Sequence, residues 1–302
     1  MTERWLWTQK QDIGPGPRHF HAMAYDTSRK RVVLFGGSTE DEGTWEWDGS
    51  VWTQVADMGP SPRQSTAVAY DATRKRLVLF GGGEEYPAAL SDTWEWDGGE
   101  WTQVADIGPA ARYGHALAYD TARARIVLHG GAQGTSGNHK IFQDTWEWNG
   151  TEWQQIADTG PARSYPGMVF DTSKNCLWLF GGMANLDPET PLGDTWEFSD
   201  TSWTKRQDMG PTATASPKMV YAGSRTILFG GGEVDQPGDT WEWNGILWTK
   251  RQNMGPTMRG GHALAYDSDR DRVVLFGGVL TNSHGVTIEM GDTWELSILS
   301  AG

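Results

Sequence analysis

The chain has 302 residues, with 25 Lys and Arg against 39 Asp and Glu, and its formal charge of −14 disfavours nucleic acid as a partner. No stretch approaches the ~18 consecutive apolar residues of a membrane-spanning helix, and Cys176, the only cysteine, excludes an intrachain disulfide and a thiolate zinc cluster. With 39 Gly, 14 Pro, 18 Trp and only 37% hydrophobic residues, the composition suits short strands joined by many turns.

In chain order, Met1 to Lys10 shows no charged segment leading into an apolar stretch, so no secretory leader is read there and a cytoplasmic protein is expected. Trp7-Thr8-Gln9 precedes Gly14-Pro15, just as Trp52-Thr53-Gln54 precedes Gly59-Pro60. Residues 21–25 (His-Ala-Met-Ala-Tyr) alternate large and small side chains, which predicts a strand. Arg31 to Phe35 is a continuous apolar run, as in a strand covered on both faces. Thr44 to Trp47 sets Trp45 and Trp47 on one face and Glu46 on the other. Val51 to Val55 follows an Asp48-Gly49 turn, a pair that supplies the positive φ angles of a tight hairpin.

This four-strand unit then recurs. Glycine pairs close the apolar run at 36–37, 81–82, 130–131, 181–182, 230–231 and 277–278, at spacings of 45, 49, 51, 49 and 47 residues. Each pair is followed by Thr-Trp-Glu, with Trp45, Trp94, Trp146, Trp196, Trp241 and Trp294 in register. A later Trp completes five units, at Trp52, Trp101, Trp153, Trp203 and Trp248, and the sixth copy stands at the N-terminus as Trp7. Units of ~50 residues with paired glycines and patterned aromatics are propeller blades. By its Gly-Gly pairs, the following Trp-x-Trp and the later Trp, the sequence resembles the Kelch-repeat family over essentially its whole length. The resemblance implies an all-β, six-bladed β-propeller of four-stranded antiparallel blades, a single domain over 1–302. Its N-terminal strand would complete the last blade and close the ring. Sixteen of the 18 tryptophans occupy repeated strand positions, all but Trp5 and Trp178, and are expected to pack blade on blade.

Strands alternate in direction, so the connections after the second and fourth strands share one face of the disc. Those after the second strand vary in length from unit to unit, while the opposite turns are near copies, which places specificity on the variable face. The link into each first strand reaches the same face and carries Arg18, Arg63, Arg112, Arg163 and Arg259, with Thr214 in the fifth unit. A residue present in almost every unit more readily serves the scaffold, here as partner to Asp92, Asp144, Asp194, Asp239 and Asp292. The alternative is an anion-binding ring, since guanidinium forks suit carboxylates. Kelch substrate adaptors, similar in this connection, read acidic peptide segments with arginines there.

Between each arginine slot and its strand the residues are diverse. They read His19-Phe20-His21, Gln64-Ser65-Thr66, Tyr113-Gly114-His115, Ser164-Tyr165-Pro166, Ala215-Ser216-Pro217 and Gly260-Gly261-His262. The candidate binding residues are therefore the five arginines with His19, His21, Tyr113, His115, Tyr165 and His262. Glycines after Arg112 and Arg259 are expected to leave room for a ligand. His21, His115 and His262 share one slot, but on units one, three and six and with no carboxylate there, so packing is expected rather than a metal. His129 replaces the Phe before Gly-Gly and reads as core. Glu84, Glu85, Tyr86, His139, Lys140, Asp187, Glu189, Glu233, Asp235, His284 and Glu289 lie in the variable loops, where an inward carboxylate would be a general base. Cys176 lies in an apolar strand and is not placed like the Tyr-Cys cofactor of galactose oxidase, a Kelch-type enzyme.

The function expected is a monomeric binding propeller, without a cofactor, that takes a small anionic ligand or an acidic peptide or protein segment on the variable, arginine-lined face. The alternative is an enzyme at the channel mouth, a sugar-acid epimerase-like isomerase or a metal-assisted lyase, as some Kelch propellers are. A deep funnel with an inward carboxylate favours the enzyme; a shallow rim favours binding.

Overall fold

Each unit folds into the blade its pattern predicts. In the first, strands Ala22–Asp26, Arg31–Phe35, Thr44–Trp47 and Trp52–Ala56 pair antiparallel in chain order. Four blades repeat this plan, and the sixth joins Ala263–Asp267, Arg272–Thr281 and Thr287–Leu299 to the N-terminal strand Arg4–Gln9. In that closing pair Trp7 lies opposite Leu296 and Gln9 opposite Trp294. The computed structural model describes residues 3–10, 13–37, 43–83, 88–135, 137–230, 237–252, 254–281 and 283–299, and no helix occurs among them. The innermost strands touch in cyclic order, the sixth against the first.

No blade has a core of its own; each hydrophobic cluster lies between two blades. Trp5, Trp7, Phe229 and Leu275 join blades five and six, and Trp47, Trp52, Phe276 and Met23 join six and one. A sheet apolar on both faces must be covered on both, and only a neighbouring blade can do that. The outer-strand tryptophans fix the spacing. Their indole nitrogens donate to the threonine that opens the preceding blade's third strand, at 2.8–2.9 Å in every blade: Trp52 to Thr293, Trp101 to Thr44, Trp153 to Thr93, Trp203 to Thr145, Trp248 to Thr195 and Trp7 to Thr240. The Gly of each Gly-Pro link lies against the edge of that tryptophan, where a Cβ would come within 2.5–2.7 Å of its ring at all six positions.

The hairpin face carries a second set of clasps, which pattern reading did not single out. Arg29 holds Asp26 and Glu46 of its own blade and donates to the Gly98 carbonyl of the next at 3.2 Å. Arg270 holds Asp267 and Glu295 at 2.7 and 2.6 Å and reaches toward the Gly49 carbonyl in the same way.

Candidate functional site

The five link arginines are among the most deeply enclosed side chains, none more than 3% exposed. Arg63 forks onto Asp92 at 2.7 and 3.0 Å, Arg112 onto Asp144 at 2.7 and 2.9 Å, Arg163 onto Asp194 at 2.9 and 3.2 Å, and Arg259 onto Asp292 at 2.5 and 3.0 Å. Each also donates to the carbonyl of the first glycine in its blade's Gly-Gly pair, and Arg18, opposite Gly43 rather than an aspartate, donates to Gly36 and Gly16. The carbonyls of Arg18, Arg63, Arg112 and Arg163 accept from the previous blade's second glycine, as Arg112 O does from Gly82 N at 3.0 Å. In blade five, where Thr214 stands for the arginine, Lys250 from the outer strand reaches Asp239 at 2.7 Å instead. Burial alone raises the Asp144, Asp194 and Asp292 carboxyls, but the guanidinium forks and the indole N–H of Trp146, Trp196 and Trp294 outweigh it and hold all three below the ordinary carboxylate range.

Just past the arginines, one residue in each of five blades adopts a left-handed conformation: Phe20, Ser65, Gly114, Tyr165 and Gly261, at φ of 56–62°. A relay of backbone hydrogen bonds links them blade to blade, from Phe20 N to Gly261 O, Ser65 N to Phe20 O, Gly114 N to Ser65 O and Tyr165 N to Gly114 O. The relay has no such member in blade five, where Ser216 occupies the slot. Blades one and four stand opposite each other in a ring of six, yet the Phe20 and Tyr165 rings meet at 5.1 Å between centroids. They therefore span the axis at the channel mouth. Tyr165 also hydrogen-bonds Ser65 at 3.1 Å and lies 6.4 Å from the Tyr113 ring. The room beside Gly114 is taken by this tyrosine, whose ring atoms would lie 2.9–3.0 Å from an added Cβ. Phe20 and His19 fill the space at Gly261 in the same manner, and only Gly260 faces open space. The expectation that glycines after Arg112 and Arg259 leave room for a ligand is thus corrected for Gly114 and Gly261.

Beneath the ring pair, a narrow channel of about 100 Å³ is lined by the first residues of all six inner strands. His21, His115 and His262 occupy their shared slot and stand edge-on against Phe276, Phe80 and Phe229 of the preceding blades, at 5.3–5.5 Å. Their ring nitrogens are enclosed: those of His21 have no hydrogen-bond partner among the described residues, whereas the backbone of Phe80 lies near His115 and that of Arg259 and Phe229 near His262. Burial, followed by nearby cations, lowers His21 well below the ordinary imidazole value and His115 and His262 to about 3, so all three are neutral. Among the described residues no group of three His, Cys, Asp or Glu side chains could hold a metal ion.

Lys218 was missed by the sequence reading, although the repeats mark it. In the slot after the histidines the blades carry Ala22, Ala67, Ala116, Gly167 and Ala263; blade five alone carries a long, charged side chain. Lys218 enters the channel half-buried, its ammonium makes no hydrogen bond or ion pair with the described residues, and burial lowers it to about 8.

Around the mouth, His19 Nδ1 lies 2.5 Å from Glu289, and Tyr113 hydrogen-bonds His139 at 3.0 Å. Extra hairpins rise from blades three and four (Ala132–Thr135 with Asn138–Ile141, and Met183–Leu186 with Glu189–Pro191) and a longer one from blade six. Asp187, Glu189 and His284 are exposed on them, while Glu84, Glu85, Tyr86, Glu233 and Asp235 lie outside the described residues. A cleft of about 560 Å³ separates Ala88 and Ala89 from the blade-three hairpin. The link segments also carry exposed apolar residues just before Gly-Pro: Ile13, Met58, Ile107, Met209 and Met254, each at least 69% exposed. His129 is core: its ring nitrogens bond Thr145 and Pro161 O at 3.0 and 3.1 Å. The Cys176 thiol is buried and pushed up to about 12 by that burial and by Glu197 and Asp171. No described helix is long and apolar enough to cross a membrane.

The solved structure of YjhT has the same fold, with a TM-score of 0.72 over 95% of this chain and 99% of that one, at 14% identity. No curated protein matches the chain in sequence. The KLHDC2/KLHL20/DRC7 Kelch-repeats domain matches residues 44–232, well over half of the chain and most of its first five blades. With six Gly-Gly blades and a ring closed through Trp7, the chain belongs to the Kelch-repeat family.

Proposed function

We propose that the protein is a monomeric binding propeller that receives an acidic peptide segment or a small anionic ligand on its variable-loop face. The observation that carries this reading is the covered axis. Phe20 and Tyr165 meet across the mouth, and the channel below has no carboxylate among its described lining residues to serve as a general base. A partner of any size is left with the rim. There Lys140 borders the blade-two to blade-three cleft, lies 4.7 Å from the Phe142 ring centre, and forms no ion pair with the described residues. His139 stands beside it, and the links between blades carry exposed apolar residues such as Ile107 and Met58; cation and apolar surface together suit an acidic peptide with hydrophobic anchors. In this reading the arginines shape the rim by holding each link to its blade.

The test is titration calorimetry of Lys140→Glu against peptides selected from an acidic library. The expected result is an affinity loss of about tenfold, roughly 1.4 kcal/mol, at unchanged melting temperature. Unaltered affinity, or footprinting that places the peptide on the Asp48-Gly49 hairpin face, overturns the proposal.

A further inference from the structure

Inside the channel, Lys218 is the single large residue in a slot that is otherwise Ala or Gly, and its ammonium meets no carboxylate among the described residues. The groups facing it come from every blade around the axis. They are His21 from blade one, Thr66 from blade two, His115 from blade three, Pro166 and Gly167 from blade four, and Ala263 beside His262 from blade six. All are neutral, and the arginines beyond them are cationic. A cation held in a narrow, partly desolvated space without a counter-charge is an unfavourable arrangement in the unliganded molecule. His21 adds a second unsatisfied group: both of its ring nitrogens are enclosed without a hydrogen-bond partner, so its N–H donor is unused. Blade five also departs from its siblings at Thr214 and Ser216, so the asymmetry is concentrated around this lysine.

We propose that the central channel is a binding site for a small carboxylate monoanion, with Lys218 as counter-charge and the neighbouring imidazole N–H groups as donors. At about 100 Å³ the channel is smaller than the ~150 Å³ cavity that accepts benzene, so it admits an ion of a few heavy atoms and excludes a peptide or a sugar acid. This site is separate from the rim and does not depend on the rim reading.

The lowered pKa of Lys218, about 8, supplies the signal. Only the protonated amine attracts an anion, so apparent affinity should fall about tenfold between pH 7 and pH 9 as the ammonium is lost. The experiment is an NMR pH titration of the intact protein labelled at lysine Cε, without and with sodium formate or acetate, and with acetamide as the neutral control. Formate and acetate are expected to move the Lys218 titration upward, and acetamide to leave it in place. Lys218→Met should abolish formate binding while acidic-peptide binding at the rim persists. A Lys218 titration that formate and acetate leave unmoved overturns the proposal without the need for any variant. Equal formate affinity in Lys218→Met overturns it as well, since the ion then binds elsewhere.

Discussion

Replacing Arg112 by Ala should destabilise the ring and leave ligand affinity intact. The side chain is fully enclosed and makes two bonds to Asp144, one to the Gly130 carbonyl and one to the Ala110 carbonyl, all at 2.7–2.9 Å. It also lies 3.9 Å from the Phe142 ring. Its loss leaves Asp144 without its cation and two carbonyls without donors. Breaking one side of a buried ion pair costs about 3–5 kcal/mol, and since Asp144 retains 18% exposure the lower end applies. For a chain of this size, with an unfolding entropy of about 0.6 kcal/mol/K, that is a fall of roughly 5 °C in melting temperature. The pH dependence adds a signature. Burial raises the Asp144 carboxyl and the Arg112 fork more than offsets it, so the folded pKa lies below the unfolded one. The pair therefore contributes fully above the unfolded carboxyl value, and the contribution disappears as pH falls through the folded one. In Arg112→Ala the fork is gone and burial is countered only by the Trp146 indole N–H and the local backbone, so the acid-side loss at Asp144 should shrink or reverse, and the variant's stability deficit relative to the parent should narrow as pH falls. Denaturant melts from pH 3 to 8, with anion and peptide affinities on the same samples, read both quantities. A loss below ~1 kcal/mol combined with weakened anion binding would refute the structural role and restore the arginines as a binding ring.

Two further outcomes are expected. Removing the strand Arg4–Gln9 takes away Trp7, its bond to Thr240 and the buried Trp5, and exposes the third strand of blade six, so unfolding of the whole ring should shift to lower temperature; an unchanged melting curve in a truncated monomer contradicts this. Because His115 titrates at about 3 when folded against an ordinary ~6.5, it destabilises the fold progressively as pH drops below ~6.5, and His115→Thr, which copies Thr66 of blade two, should flatten that part of the stability–pH curve.

Much of this molecule was legible because one unit is written six times. A single Trp-x-Trp or Gly-Gly is weak evidence, but its return at near-constant spacing identifies blades, strand order and the closing role of Trp7. The same logic pairs Arg63, Arg112, Arg163 and Arg259 with aspartates that recur beside them, and the structure makes those pairs. Repetition also offered a signal that went unused: a lone Lys218 among Ala22, Ala67, Ala116, Gly167 and Ala263.

What the chain order could not decide is what meets across the axis. Neighbouring blades follow each other in sequence, so their contacts repeat with the period, whereas Phe20 and Tyr165 stand on opposite blades and touch only because the ring closes to a particular radius. That radius is set by the bulk of six inter-blade cores, a property of the assembled ring and of no single unit. The same closure fills the space beside Gly114 with the Tyr165 ring and leaves the Lys218 ammonium in a narrow channel without a carboxylate. Local pattern determined the blades, and the packing of six of them around one axis determined which side chains share the centre.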